Sequence, residues 1–114
     1  MIQIYHNSRC GKSRECLVFL EKSGQEYEII NYLKDIPSFD ELKEIINKLV
    51  IKPMELVRRK EKIWIENFKD KPLSDDEIIQ AMISNPILIE RPIVINGNKA
   101  IIARPLEKVM VILK

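Results

Sequence analysis

Cys10 stands between a β-rich segment, Ile2-Gln3-Ile4-Tyr5, and a stretch of helical spacing that begins at Lys12. A thiol at such a junction faces backbone N–H groups with no helical partner and the positive end of the helix dipole. Both favour thiolate over thiol, and the thiolate is the attacking species. Arg9, Lys12 and Arg14 place positive charge nearby, and His6 and Ser13 are positioned in sequence to supply hydrogen bonds. Position alone leaves two readings open: a reactive nucleophile, or an inert small apolar residue.

The second cysteine reads differently. Cys16 lies six residues further along the same expected helix, about 9 Å of rise at roughly 1.5 Å per residue. A disulfide needs Cα atoms within about 7 Å, so Cys10 and Cys16 are expected to stay reduced, with Cys16 packed beside Leu17 and Leu20. Ser13 occupies the place a second thiol would take in a Cys-x-x-Cys motif. Any electron donor to Cys10 must then come from outside the chain.

Arginine suits a tetrahedral oxyanion, because its planar fork donates paired hydrogen bonds and keeps its charge. Three places qualify: Arg58-Arg59, Arg91 and Arg104. Arg91 precedes Pro92 at the entry to one expected strand, and Arg104 follows the return strand, ahead of Pro105. Hairpin geometry brings 91 and 104 to the same end of the two strands. If Cys10 lies at that end, an anion site forms from distant sequence. Beside Lys60-Glu61-Lys62, Arg58 and Arg59 read more simply as a solvated face. His6 is the sole histidine, and no Cys/His/Asp cluster has ligand spacing, so no metal site is expected. Trp64 reads as partial core.

The elements that must position these residues follow from pattern. Ile2–Tyr5 alternates as a strand, residues 7–11 form a turn, and Lys12–Ser23 has helical spacing closed by Gly24. Tyr27–Tyr32 reads as a second strand. Ser38 with Glu41, and Ser74 with Glu77, are capping-box pairs ahead of apolar positions at helical spacing. Residues 53–69, between those helices, are expected to hold short helical turns. Pro92–Ile95 is a strand, Asn96-Gly97-Asn98 a hairpin turn and Lys99–Ala103 the return strand. Pro105 is placed to open a final helix with Val109, Ile112 and Leu113 on one face. The order β-α-β, helices, hairpin, helix implies an α/β fold with a four-stranded mixed sheet.

Composition bounds the function. The chain has 114 residues, one domain's worth, so a single domain over 1–114 is expected. It carries 46% hydrophobic and 32% charged residues, which excludes a disordered chain. A net charge of +2 gives no support to nucleic-acid or membrane binding through bulk charge. No apolar run could span a bilayer. The first residues lack the basic and apolar regions of a secretory signal. Two cysteines are too few for a disulfide scaffold. A cytoplasmic monomer is expected.

These residues also carry a family likeness. The stretch Tyr5-His6-Asn7-Ser8-Arg9-Cys10-Gly11-Lys12-Ser13-Arg14 resembles the active-site segment of glutaredoxin-linked arsenate reductases, the ArsC family. The likeness continues at Tyr32-Leu33, Asp40-Glu41-Leu42 and Leu56-Val57-Arg58-Arg59-Lys60. It is densest from Asn85 to Val94 and ends at Arg104-Pro105. The resemblance implies a thioredoxin-like fold with an inserted helical region. It further implies that Cys10 attacks arsenate, that Arg58, Arg91 and Arg104 hold the oxyanion, and that His6, Ser13 and Arg14 help keep the thiolate. It casts Pro92 as the cis proline next to the catalytic cysteine, glutathione as co-substrate with no bound cofactor, and glutaredoxin as partner. Ser8-Arg9 departs from the Pro-Ala type of pair in the family. Two alternatives stand beside arsenate reduction: thiol chemistry on another glutathione-linked substrate, and a non-catalytic Spx-like regulator that binds RNA polymerase.

Overall fold

A computed structural model describes residues 1–113; Lys114, the last residue of the expected domain, lies outside the described residues. In chain order the elements are β1 (Ile2–Tyr5), α1 (Gly11–Ser23), β2 (Tyr27–Ile30), α2 (Phe39–Leu49), α3 (Lys62–Asn67), α4 (Asp75–Ser84), β3 (Ile93–Asn96), β4 (Lys99–Ile102) and α5 (Val109–Ile112). The chain gathers into two compact units. One is Met1–Asp35 with the chain from Arg91 onward; the other is Ile36–Glu90, inserted between them in sequence.

The first unit is built on one four-stranded mixed sheet in the order β2-β1-β3-β4. β1 pairs parallel with β2 and antiparallel with β3, and β3 pairs antiparallel with β4. Tyr5 therefore faces Ile93, which faces Ile102. This register puts the end of β1, where the loop to Cys10 begins, beside the start of β3 and the end of β4. Gly97 turns the hairpin with φ +63°, and Asn96 pairs with Lys99. A positive φ at the first central residue alone is the sign pattern of a type II′ turn.

On one face of the sheet Ile2, Ile4 and Val94 pack with Cys16 and Leu20 of α1 and with Val109 and Ile112 of α5. These positions alternate along the strands and repeat at helical spacing, as a one-sided core requires. α1 ends at Gly24 in the left-handed conformation, whose N–H donates to the Glu21 carbonyl. Short α5 is tied down from outside. Asn96 Nδ2 donates to the Ile112 carbonyl at 2.7 Å, and Gln25 Nε2 donates to that of Leu113, also at 2.7 Å.

The second unit is helical. Ser38 and Ser74 form full capping boxes with Glu41 and Glu77, so α2 and α4 begin where their sequences say. Their buried faces carry Leu42, Ile45 and Ile46, and Ile78, Ile79 and Met82. A 3-10 turn at Pro53–Leu56 and the six-residue α3 fill residues 53–69. Trp64 is buried and stacks on Phe68, centroids 5.4 Å apart.

Several expected boundaries moved: α1 begins at Gly11, one residue before Lys12, and β3 runs Ile93–Asn96 instead of Pro92–Ile95. β2 stops at Ile30 instead of Tyr32, because the Asn31 carbonyl accepts from Lys34 and Asp35 and turns the chain. β4 stops at Ile102 rather than Ala103, although the Ala103 N–H still reaches the Pro92 carbonyl. Pro105 is not the first residue of a helix. It has extended ψ (166°) and caps a 3-10 turn, Leu106–Lys108, from which α5 continues.

Candidate active site

The loop from β1 to α1 is held by its own polar groups. Asn7 does most of this. Its Oδ1 accepts from the Arg9 N–H at 3.0 Å, an Asx turn, and its carbonyl accepts from the Cys10 N–H at 3.0 Å. Its own N–H donates to Ser13 Oγ at 3.0 Å. By its type and place, Asn7 reads only as a turn residue. An Asn two residues ahead of the loop's tip was the available signal for this role.

Cys10 is the N-cap of α1, extended at φ −95°, ψ 123°. Its thiol makes no capping hydrogen bond. A thiolate is the better acceptor, and the N–H groups of Ser13 and Lys12 favour that form. From the far end of the chain, Arg104 Nη2 donates to Cys10 Sγ at 3.6 Å. The Arg91 guanidinium adds both charge and a hydrogen bond. Burial pushes the Cys10 thiol up. The Ser13 N–H, the Arg91 charge and the Lys12 N–H together outweigh it, so its pKa lies below the ordinary thiol value. Cys10 keeps 8% of its surface, whereas Cys16 keeps none. Cys16 lies among apolar neighbours, and burial pushes its thiol up to about 11. Both cysteines are free thiols.

Three further contacts complete the site. Arg104 Nε donates to the Arg91 carbonyl at 2.8 Å, so the guanidinium is fixed across the end of the hairpin. The Arg91–Pro92 bond is cis, as the family likeness implies, and so is Arg104–Pro105, which no local signal predicts. His6 does not touch the sulfur directly. Its Nδ1 lies 2.6 Å from Ser13 Oγ, and both residues are buried. Burial lowers the His6 pKa and the Arg14 charge lowers it further, against the pull of the Ser13 hydrogen bond, so the ring is neutral at pH 7. Arg14 is exposed, and its Nη1 donates to the Ser8 carbonyl at 3.0 Å, closing the loop from outside.

Arg58 lies in the second unit. An antiparallel bridge between Val57 and Ile89 holds its backbone, whose N–H donates to the Leu88 carbonyl at 2.7 Å. Its guanidinium meets the Glu61 carboxylate at 3.1 Å and donates to the Ile87 carbonyl. Arg59 is exposed. Among the described residues no cluster of His, Cys, Asp and Glu could hold a metal, and no helix is long and apolar enough to cross a membrane.

A sulfur set between a helix N-terminus and two guanidinium groups can attack an electrophilic oxyanion that the same groups hold. The family model described as "ArsC family" matches residues 5–112. The chain belongs to the ArsC family. Its relatives in that family include an arsenate reductase of Haemophilus influenzae, 44% identical over 96% of this chain and 97% of its own. Another is the uncharacterized protein YfgD of Escherichia coli K12, 43% identical over 96% of this chain and 93% of its own. The solved structure of an arsenate reductase from Vibrio cholerae superposes with a TM-score of 0.93 at 42% identity, covering 97% of this chain and 96% of that one. The mixed sheet and flanking helices are the thioredoxin-like fold of these ArsC neighbours.

Proposed function

We propose that the protein is a glutathione- and glutaredoxin-dependent arsenate reductase with Cys10 as nucleophile. The observation that carries this reading is the Cys10 thiol lying 3.6 Å from Arg104 Nη2, beside Arg91, at a helix N-terminus. Relatives named arsenate reductase at about 40% identity support it. Arsenate is an anion near neutral pH and repels a bare thiolate. Guanidinium groups and helix N–H donors offset that repulsion and stabilise charge that builds on the oxygens.

The steps balance as follows. The Cys10 thiolate bonds to arsenic and displaces hydroxide, which leaves as water with one proton; arsenic remains pentavalent. A glutathione thiolate then attacks the Cys10 sulfur. The S–As bond breaks, its electron pair stays on arsenic, and trivalent arsenite leaves. Two thiols have become a Cys10–glutathione disulfide. A glutaredoxin thiol takes the glutathione and restores Cys10. Ser13, buried against His6, supplies no second thiol, so resolution comes from outside.

In this scheme Arg91 and Arg104 bind the oxyanion. Ser13 presents its N–H to the sulfur, and His6 positions Ser13. Arg14 shapes the loop. The family likeness adds Arg58 to the oxyanion ligands, a role that Arg58→Ala tests through the arsenate KM. The reactions are those of the reducing cytoplasm.

The test is arsenate-dependent NADPH oxidation with glutathione, glutaredoxin and glutathione reductase. The wild type turns over and Cys10→Ser does not. A wild type that forms the glutathione disulfide yet ignores arsenate would move the reading to another glutathione-linked substrate.

A further inference from the structure

A cavity of about 340 Å³ shares Arg104 with the Cys10 site and is lined besides by Lys12, Glu15, Glu107, Leu106, Ala103 and Pro105. That is within the size of small-molecule pockets, roughly 300–1,000 Å³. Its charges do not suit a second oxyanion. Two carboxylates, Glu15 and Glu107, stand in the same wall as Lys12 and Arg104 and would repel one. Opposite charges set around one small cavity fit a ligand that carries both signs. The Lys12–Glu15 pair is long, 3.9 Å, and both side chains are more than half exposed, so a ligand exchanges those partners at little cost. Leu106, Ala103 and Pro105 add apolar lining.

The cavity also has the right address. Arg104 belongs to it and reaches Cys10 Sγ at 3.6 Å, and Lys12 is two residues from Cys10 on the same helix start. A molecule seated there shares Arg104 with that sulfur. Resting on the reading of Cys10 as a thiol resolved from outside, we propose that this cavity seats the resolving thiol, a small zwitterionic peptide of the glutathione type. Its carboxylate lies at Lys12 and Arg104, and its ammonium at Glu15 and Glu107. Glu15 and Glu107 are then specificity residues for the thiol and take no part in holding arsenate.

Thiol–disulfide exchange without arsenate tests this. The Cys10 thiolate attacks one sulfur of glutathione disulfide. The Cys10–glutathione bond forms, the old S–S bond breaks and one glutathione thiolate leaves. Rates are compared for glutathione disulfide, its N-acetylated form, which lacks the ammonium, and neutral bis(2-hydroxyethyl) disulfide. The neutral reagent reports sulfur reactivity alone. The wild type prefers glutathione disulfide to the acetylated form by at least about fivefold, the upper size of one surface ion pair. Glu15→Gln/Glu107→Gln abolishes that preference and leaves the neutral rate unchanged. The preference is lost because the glutathione disulfide rate falls; simple charge steering also narrows the preference but makes the glutathione disulfide rate rise, because removing two carboxylates speeds every anionic disulfide. A double variant that keeps the preference, or gains rate with glutathione disulfide, overturns the proposal. Because no arsenate is present, that failure is separate from failure of the arsenate reading, which the coupled assay decides.

Discussion

Arg104 Nη2 lies 3.6 Å from Cys10 Sγ across a sequence separation of 94 residues. The contact depends on strand order. β1 delivers Cys10, β4 delivers Arg104, and β3 between them delivers Arg91. Arg104 Nε is also anchored on the Arg91 carbonyl at 2.8 Å, so the two arginines form one assembly and not two independent charges.

Removal of either guanidinium should therefore cripple oxyanion turnover. Arg104→Ala and Arg91→Ala are each expected to lower kcat/KM for arsenate by roughly 10²–10³-fold, the usual effect of losing one such donor. Circular dichroism should show an unchanged fold. Arg104→Lys keeps the charge but loses the fork and should recover only part of the activity. Kinetics within twofold of wild type in both alanine variants would remove these residues from the site.

The Cys10 thiol should ionise below its ordinary thiol value. Alkylation rate against pH reads this directly. Arg91→Ala should move the midpoint upward, since the Arg91 charge is among the groups that hold it down. A wild-type midpoint at or above that of a free thiol would mean that burial prevails over the N–H and guanidinium donors.

His6 gives a pH dependence of stability. Its folded pKa lies below the unfolded value of about 6.5. Below that value the unfolded chain binds the extra proton and the folded chain resists it. Its contribution to stability is thus complete above pH 6.5 and is lost as pH falls through the folded pKa. Urea midpoints between pH 7.5 and 5 should fall in the wild type and fall less in His6→Asn. Parallel slopes for the two proteins would show that His6 does not titrate differently on folding.

Cys16 should be chemically silent. With its thiol pushed up to about 11 and no exposed surface, it should ignore thiol reagents at pH 7 until the protein unfolds. One fast thiol per native chain, lost in Cys10→Ser, is the expected count. Cys16→Ser should destabilise by about 1–3 kcal/mol, because it buries a hydroxyl without a partner, and should leave the Cys10 alkylation rate intact. Two fast thiols in the native protein would contradict the packing.

Local signals in the sequence were enough for the elements. The capping pairs Ser38/Glu41 and Ser74/Glu77, the Asn96-Gly97 turn and Gly24 each act within four residues of chain, so their energetics are written in consecutive letters. The same holds for Cys10 at the start of α1 and for Cys16 as core. Strand ends were less legible, because where β2 stops depends on the Asn31 turn and where β4 stops depends on its partner strand.

The site was decided by pairing across the sheet. That Arg91 and Arg104 meet at the hairpin's end follows from the hairpin, but that Cys10 joins them requires β1 beside β3, a choice among strand orders that periodicity does not encode. The charge state of the sulfur was likewise beyond the letters. Burial raises its pKa while donors lower it, and only their distances settle which prevails. Geometry also reassigned neighbours. His6 Nδ1 pairs with Ser13 Oγ, and Arg14 Nη1 donates to the Ser8 carbonyl.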